Sequence, residues 1–372
     1  PNHLCASKNN KGMKAIFRYY IASLICLLTA SCNNNRTNQK QLTMTAVDSI
    51  SIELKKLDSL LQDSAFAATI ASRLEASYYK GLGEPAPAFL KPGEDSLLTD
   101  KSVKDEKIAT NIAGFYALEC GINYLCSRDS ATPAQWIEKI LSKKALDKDA
   151  AEILNRFANA PWKAGQPFRS LDRIKKANFI GWSGLSDAEV QKDVRQIEGA
   201  ALIVQPFIKG SKTEQLLQLK ELLQSKEFAL QAASFMDSSY YAGEKKPVAE
   251  FLSKEEKTAT KKKSFKEEKI ATNIAGFYAL ECGINYFVWA KKQAPTMILQ
   301  SIVNGSISKE DKLLCCRFAN ATWKAGQPFR NLDRITRETF TPFNFLSEAD
   351  IEKDWVQVKA AAEILLAELK RR

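Results

Sequence analysis

Histidine is all but missing from this chain: His3 is the only one in 372 residues, and it lies ahead of the first methionine, Met13. That removes the imidazole general base and the usual His-containing zinc and haem sites. No apolar run is long enough to span a bilayer. The greasiest, residues 19–30, is too short. Sustained polar–apolar alternation flanked by hairpin turns is also absent, so the pattern predicts no strands. Acidic residues do not appear before Asp48.

The amino-terminal segment reads as a leader, residues 1–12, followed by a secretory signal starting at Met13. Lys14 and Arg18 form the basic flank, then the apolar run, then Thr29-Ala30-Ser31-Cys32. Small residues directly before a cysteine resemble the lipobox of bacterial lipoproteins, although Thr29 stands where leucine is commonest. The resemblance implies that Cys32 is lipidated and is the first residue of the mature chain, attached to a bacterial membrane. Residues 32–45 are polar and aperiodic, which suits a flexible tether. Its lack of early acidic residues favours a periplasm-facing location in the cell envelope.

Loss of residues 1–31 removes Lys8, Lys11, Lys14 and Arg18 and lowers the formal charge from +11 to +7. A basic envelope protein is compatible with anionic headgroups or wall polymers. The densest cationic run, Lys261-Lys262-Lys263, reads as a solvated loop. Its counterpart carries Glu94, Asp95 and Asp100. The charge is therefore not arranged for nucleic acid. Of eight cysteines, Cys120 and Cys282 are equivalent, whereas Cys126, Cys315 and Cys316 have no counterpart. Small buried thiols are the expectation; a bond from Cys282 to Cys315 or Cys316 is conceivable in an export compartment.

The body contains itself twice. Residues 106–124 recur unchanged as 268–286, and residues 156–174 recur as 317–335 with only Pro161/Thr322 and Ser170/Asn331 differing. Phe66, Tyr78, Tyr79, Phe89 and Leu90 return 162 positions later. A repeat of that length is a domain rather than a solenoid unit. The expected fold is all-α, with two tandem homologous helical bundles of five or six helices each, over 46–206 and 207–372. Apolar residues recur at three and four positions through Ile50, Leu54, Leu57 and Leu61, and through Phe66, Ile70 and Leu74. Asp63, Thr132-Pro133, Ser186 and Ser347 are candidate helix starts.

Drawn as one continuous helix, residues 106–124 place Asn111 inside the buried stripe and Glu119 on its shoulder, with Gly114 and Gly121 on a face open to close approach. A buried carboxylate needs a partner. Lys163, Arg169, Asp172 and Arg173 make up the nearby charged set. Two readings stay open: Glu119 pairs with Arg169 or Arg173 and fastens a turn, or Asn111, Glu119 and Asn123 line a polar pocket. Asn273, Glu281 and Asn285 repeat the arrangement.

The segment 157–169 is read as a helix end, with Gly165 at positive φ and Pro167 stopping the helix. Those roles leave unexplained why Trp162, Lys163, Gln166 and Arg169 recur as Trp323, Lys324, Gln327 and Arg330. Residues 127–150 and 289–311 keep apolar spacing but few identities. An aromatic, two cations and an amide could form a wall for a sugar or anionic group; the plainer reading is a Trp plug. The expected role is a non-enzymatic envelope lipoprotein that binds a cell-wall, glycan or protein partner without a cofactor. A cell-wall or glycan hydrolase using Glu119/Glu281 with Asp172/Asp333 is the alternative. A structural spacer is a third possibility, with Asp48, Asp63, Asp95 and Asp129 each opening a short Asp-Ser-apolar triplet resembling bacterial O-glycosylation sites.

Overall fold

A computed structural model describes residues 48–142, 146–243 and 245–371. The expected signal segment, Cys32 and the expected tether lie outside the described residues. The described chain is predominantly helical. Its first helix is α1 (48–61), followed by α2 (Ser64–Gly81), β1 (Leu98–Ser102), α3 (Val103–Asn111), α4 (Ala113–Arg128), α5 (Pro133–Ser142), α6 (Lys148–Arg169) and α7 (Asp187–Val204). The second copy repeats that order as α8 (Lys212–Gln224), α9 (Lys226–Gly243), β2 (Thr260–Ser264), α10 (Phe265–Asn273), α11 (Ala275–Lys291), α12 (Pro295–Val303), α13 (Lys309–Arg330) and α14 (Glu348–Arg371). Among the described residues each copy thus has seven α-helices rather than five or six, because the outer helices and a break in the repeated helix add to the number.

The starts obey local chemistry. Asp63 accepts from the amides of Ala65 and Phe66, both at 3.0 Å. Thr132 and Gln135 cap α5 reciprocally, and the hydroxyls of Ser186 and Ser347 accept from Glu189 and Asp350. The repeated helix is not continuous: Ile112 and Ile274 take φ near −78° with ψ −7° and split α3 from α4 and α10 from α11.

The packing does not follow the order of the copies. The first helices of copy one lie on copy two, with α2 against α10 and α14; α9 of copy two lies on α3 and α7. The carboxylate of Glu53 caps α12 at the Thr296 amide (2.8 Å), and its counterpart Gln215 caps α5 at the Ala134 amide (2.8 Å). Residues 53–372 consequently form one compact unit. The segments 46–206 and 207–372 are units of sequence, while each packed half borrows its leading helices from the other copy.

A two-stranded antiparallel ribbon corrects the expectation of no strands. Asp100 lies opposite Lys262, its own equivalent, and Leu98 opposite Ser264, so the ribbon straddles an approximate two-fold axis. The supposed lysine loop is β2; Lys262 pairs with Asp100 at 2.9 Å, and Lys263 with Glu106 at 3.1 Å. The same axis brings equivalent rings together: Phe157 stacks on Phe318 at 4.5 Å and Phe168 on Phe329 at 5.3 Å. This is the self-complementary interface of a two-fold dimer, contained within one chain.

Gly165 is correspondingly not a positive-φ cap. The helix α6 runs through Gly165 and Pro167 to Arg169. A Cβ on Gly165 would lie 3.1 Å from the Phe329 ring, and one on Gly326 would lie 3.0 Å from the Phe168 ring. These glycines admit the opposite copy's phenyl group. Gly114 and Gly121 do meet close neighbours, Met236 with the Gln196 carbonyl and Leu154 respectively.

Candidate functional site

Two lysine–glutamate pairs cross the axis at the centre of the core. Lys163 reaches Glu281 at 2.5 Å and Lys324 reaches Glu119 at 2.7 Å, all four side chains being fully buried. Neither Arg169 nor Arg173 is the partner of Glu119. The counter-ion does come from the Trp-bearing segment, but from the other copy's. Burial opposes charge on Lys163 and Lys324, yet the acids beside them hold both ammonium groups above the usual lysine range. Asn123 and Asn285 donate to the carboxylates of Glu119 and Glu281 at 3.1 and 2.7 Å, and Ser183 donates to Asn285 at 3.1 Å. Glu119, Asn123, Lys163, Glu281, Asn285 and Lys324 are therefore interior groups away from the cleft described next.

The remaining first-copy candidates gather elsewhere. Asn111, Trp162, Gln166 and Arg169 all line a polar cleft with a volume of about 560 Å³. The break at Ile112 takes Asn111 out of the core stripe; its amide donates to the Lys107 carbonyl at 3.0 Å. Trp162 is partly buried against Phe179 at 5.8 Å while one side faces the cleft. Tyr240 and Tyr241 from α9 and Lys261 from β2 close the cleft, so both copies build it.

Gln166 sets the geometry of the cationic wall. Its amide nitrogen donates to the Trp162 carbonyl at 3.1 Å, and its oxygen accepts from Arg173 Nε at 2.7 Å. Gln327 accepts from Arg334 Nε at 2.6 Å and donates to Trp323 at 3.2 Å in the second copy. Asn273 bonds the Lys269 carbonyl as Asn111 bonds Lys107. Arg330 is half-buried beside Arg334 and Arg337, where burial and the neighbouring guanidinium of Arg337 lower its pKa.

Asp193 forms a buried part of the cleft wall. Burial pushes its carboxyl up to about 7, against an Asn159 hydrogen bond at 3.5 Å and the charge of Lys163. Asp354, its equivalent, is raised well above the ordinary range, also by burial. Asp193 and the tyrosines escaped the sequence reading. An aspartate one turn after Val190 in an apolar stripe, present again as Asp354, was the available signal; the recurrence of Tyr78-Tyr79 as Tyr240-Tyr241 was visible but had no location.

The hydrolase residues are differently placed. Glu119 and Glu281 are locked in their ion pairs, while Asp172 and Asp333 are exposed and paired with Lys175 and Lys226. Among the described residues no group of His, Cys, Asp or Glu is arranged to hold a metal, and no helix is long and apolar enough to cross a membrane. Cys120, Cys126, Cys282, Cys315 and Cys316 are free and buried. Comparisons with protein-family models, curated proteins and solved structures each return no match.

Proposed function

We propose that the protein is a lipid-anchored, periplasm-facing envelope protein that binds a ligand without converting it, through the cleft beside Trp162 and, by the repeat, the equivalent surface beside Trp323. The observation that carries this reading is the convergence of Asn111, Trp162, Gln166 and Arg169 on one cleft of about 560 Å³. These side chains recur unchanged in the second copy, while the helices between the repeated blocks kept little beyond apolar spacing. The core ion pairs account for Lys163 and Glu119 without any ligand. They do not account for the cleft residues. A flat aromatic next to guanidinium and amide groups suits a saccharide bearing polar substituents.

The lipid anchor rests on the resemblance of Thr29-Ala30-Ser31-Cys32 to a lipobox. A thermal-shift screen against cell-wall fragments and envelope glycans tests the binding reading. A ligand is expected to raise the melting temperature of the wild type and not that of W162A/W323A. Shifts that survive both substitutions reject the cleft. A hydrolase reading now has Asp193, rather than Glu119, as its acid, since a carboxyl near neutrality is suited to proton transfer. Release of reducing sugar from a bound glycan, abolished by D193N, would favour that second reading.

A further inference from the structure

We infer that the cleft beside Trp162 is a receptor for an oxyanion, a phosphate-type group on the ligand, held by Arg169, Arg173 and Lys176, and that the equivalent cluster Arg330, Arg334 and Arg337 of the other half receives one in the same way. This assigns the ligand class of the cleft proposed above and rests on that reading. Arg169, Arg173 and Lys176 all line the cleft. No carboxylate lies within ion-pair distance of any of these six cations among the described residues.

Of the four acids lining the cleft, Glu106 and Glu189 are engaged, the latter by Lys192 at 2.7 Å, while burial raises the pKa of Asp193 and Asp237. Glu106 faces Arg169 and Arg173 but is paired with Lys261 and Lys263 of the ribbon; Glu268 is held by Lys101 at 2.6 Å. The same lysines serve the ends of the helices, since Lys263 donates to the Arg169 carbonyl and Lys101 to the Arg330 carbonyl at 3.5 Å. The arginines are thus not needed to satisfy those carbonyls.

The cations also repel one another. The Arg173 charge is the main cause of the lowered pKa of Lys176, and burial with Arg330 and Arg337 brings Arg334 down to about 10. Holding like charges together without a counter-ion costs stability, which a bound dianion reverses. Gln166 and Gln327 fix Nε of Arg173 and Arg334, leaving the terminal nitrogens for a forked contact.

Between 175 and 184 nearly every residue differs from its counterpart at 336–345, Phe179/Phe340 excepted, yet Lys176 becomes Arg337. The cation at this one position is kept, while Lys175 becomes Thr336 and Ala177 becomes Glu338. The aromatic wall gives the remainder of the ligand a surface to stack on, and Lys261, Tyr240 and Tyr241 mean that the first site needs both copies.

Isothermal titration of the chain from residue 48 with inorganic phosphate, then with a hexose 6-phosphate and the matching neutral hexose, provides the test. Expected are two sites, weakened by salt, with the phosphorylated sugar preferred over the neutral one. R173Q should leave one site, and R173Q/R334Q should weaken both by roughly tenfold or more. Vesicles of phosphatidylcholine with and without phosphatidylglycerol separate the sources: capture only by the anionic vesicles assigns the phosphate to a lipid headgroup, and preference for the sugar phosphate assigns it to a soluble ligand.

Absent phosphate binding, or binding unchanged in R173Q/R334Q, overturns the assignment. Neutral saccharides that still bind in a Trp162-dependent way would then leave the cleft reading standing. Conversely, phosphate binding that needs Arg173 and Arg334, with no ligand sensitive to Trp162 or Trp323, removes the aromatic wall and keeps the anion site. Should the double variant lose its helical circular dichroism, phenylglyoxal labelling of the wild type decides. Phosphate must protect Arg173 and Arg334, and equal labelling with and without it overturns the proposal.

Discussion

Replacing Lys163 by Met leaves Glu281 fully buried with no cation beside it. The pair is 2.5 Å apart and neither side chain touches solvent, so loss of one partner should cost about 3–5 kcal/mol. Replacing both members by apolar residues of similar volume is close to neutral, since the desolvation of both charges is also avoided. K163M/E281L should therefore regain most of what K163M loses, although the two positions belong to different copies. K163M/E119L has the same chemistry but breaks two pairs and strands Glu281 and Lys324. Its losses add to about 6–10 kcal/mol, comparable with the whole stability of an ordinary domain, and it should not fold. Urea unfolding followed by far-ultraviolet circular dichroism distinguishes the two. A folded K163M/E119L beside an unfolded K163M/E281L would show that each pair closes within its own copy and would refute the crossed arrangement.

Three further outcomes follow from the packing and charge. G165A should destabilise by about 1–3 kcal/mol, because a methyl group would crowd the Phe329 ring; G326A should act similarly, as read from denaturation midpoints. Asp193, near 7 in the folded state against about 3.8 unfolded, keeps a proton that the unfolded chain releases between those values. Stability should accordingly fall as pH rises from about 4 to 7, by on the order of 4 kcal/mol for this group at most, and melting curves of D193N should show a shallower slope. The five described body cysteines should stay unreactive towards an aromatic disulfide reagent until the protein is unfolded, because burial pushes their thiols up, Cys126 to about 12. Rapid native labelling of Cys120 or Cys282 would show that the core opens around the ion pairs.

Local features were legible in the sequence because their causes are local. Asp63, Thr132-Pro133, Ser186 and Ser347 each satisfy amides within three residues, and the helices begin where those residues stand. The crossing was not legible. Lys163 and Lys324 occupy equivalent places in identical surroundings, so the sequence is the same whether each meets the glutamate of its own copy or of the other. Gly165 looked like a cap because glycine followed by proline commonly ends a helix, whereas its reason is the Phe329 ring, 164 residues away. The wheel drawn for 106–124 assumed a straight helix, and the turn at Ile112 moved Asn111 to the cleft. The ribbon pairs Leu-Thr-Asp-Lys-Ser with Thr-Lys-Lys-Lys-Ser, short polar strands without alternation. Their cross-strand charges hold them together, not an apolar face. The cleft wall likewise required a partner from another copy: Tyr240 and Tyr241 could be seen to recur, but nothing local placed them opposite Trp162.

The six tryptophans allow the binding site to be read directly. With 5-fluorotryptophan incorporated and each resonance assigned by single substitution, the protein is titrated with envelope saccharides, neutral and phosphorylated. Resonances of Trp162 and Trp323 should move on binding, while those of Trp136, Trp182, Trp289 and Trp355 hold still. A ligand that binds and leaves both Trp162 and Trp323 unmoved would contradict the placement of the site beside these two residues.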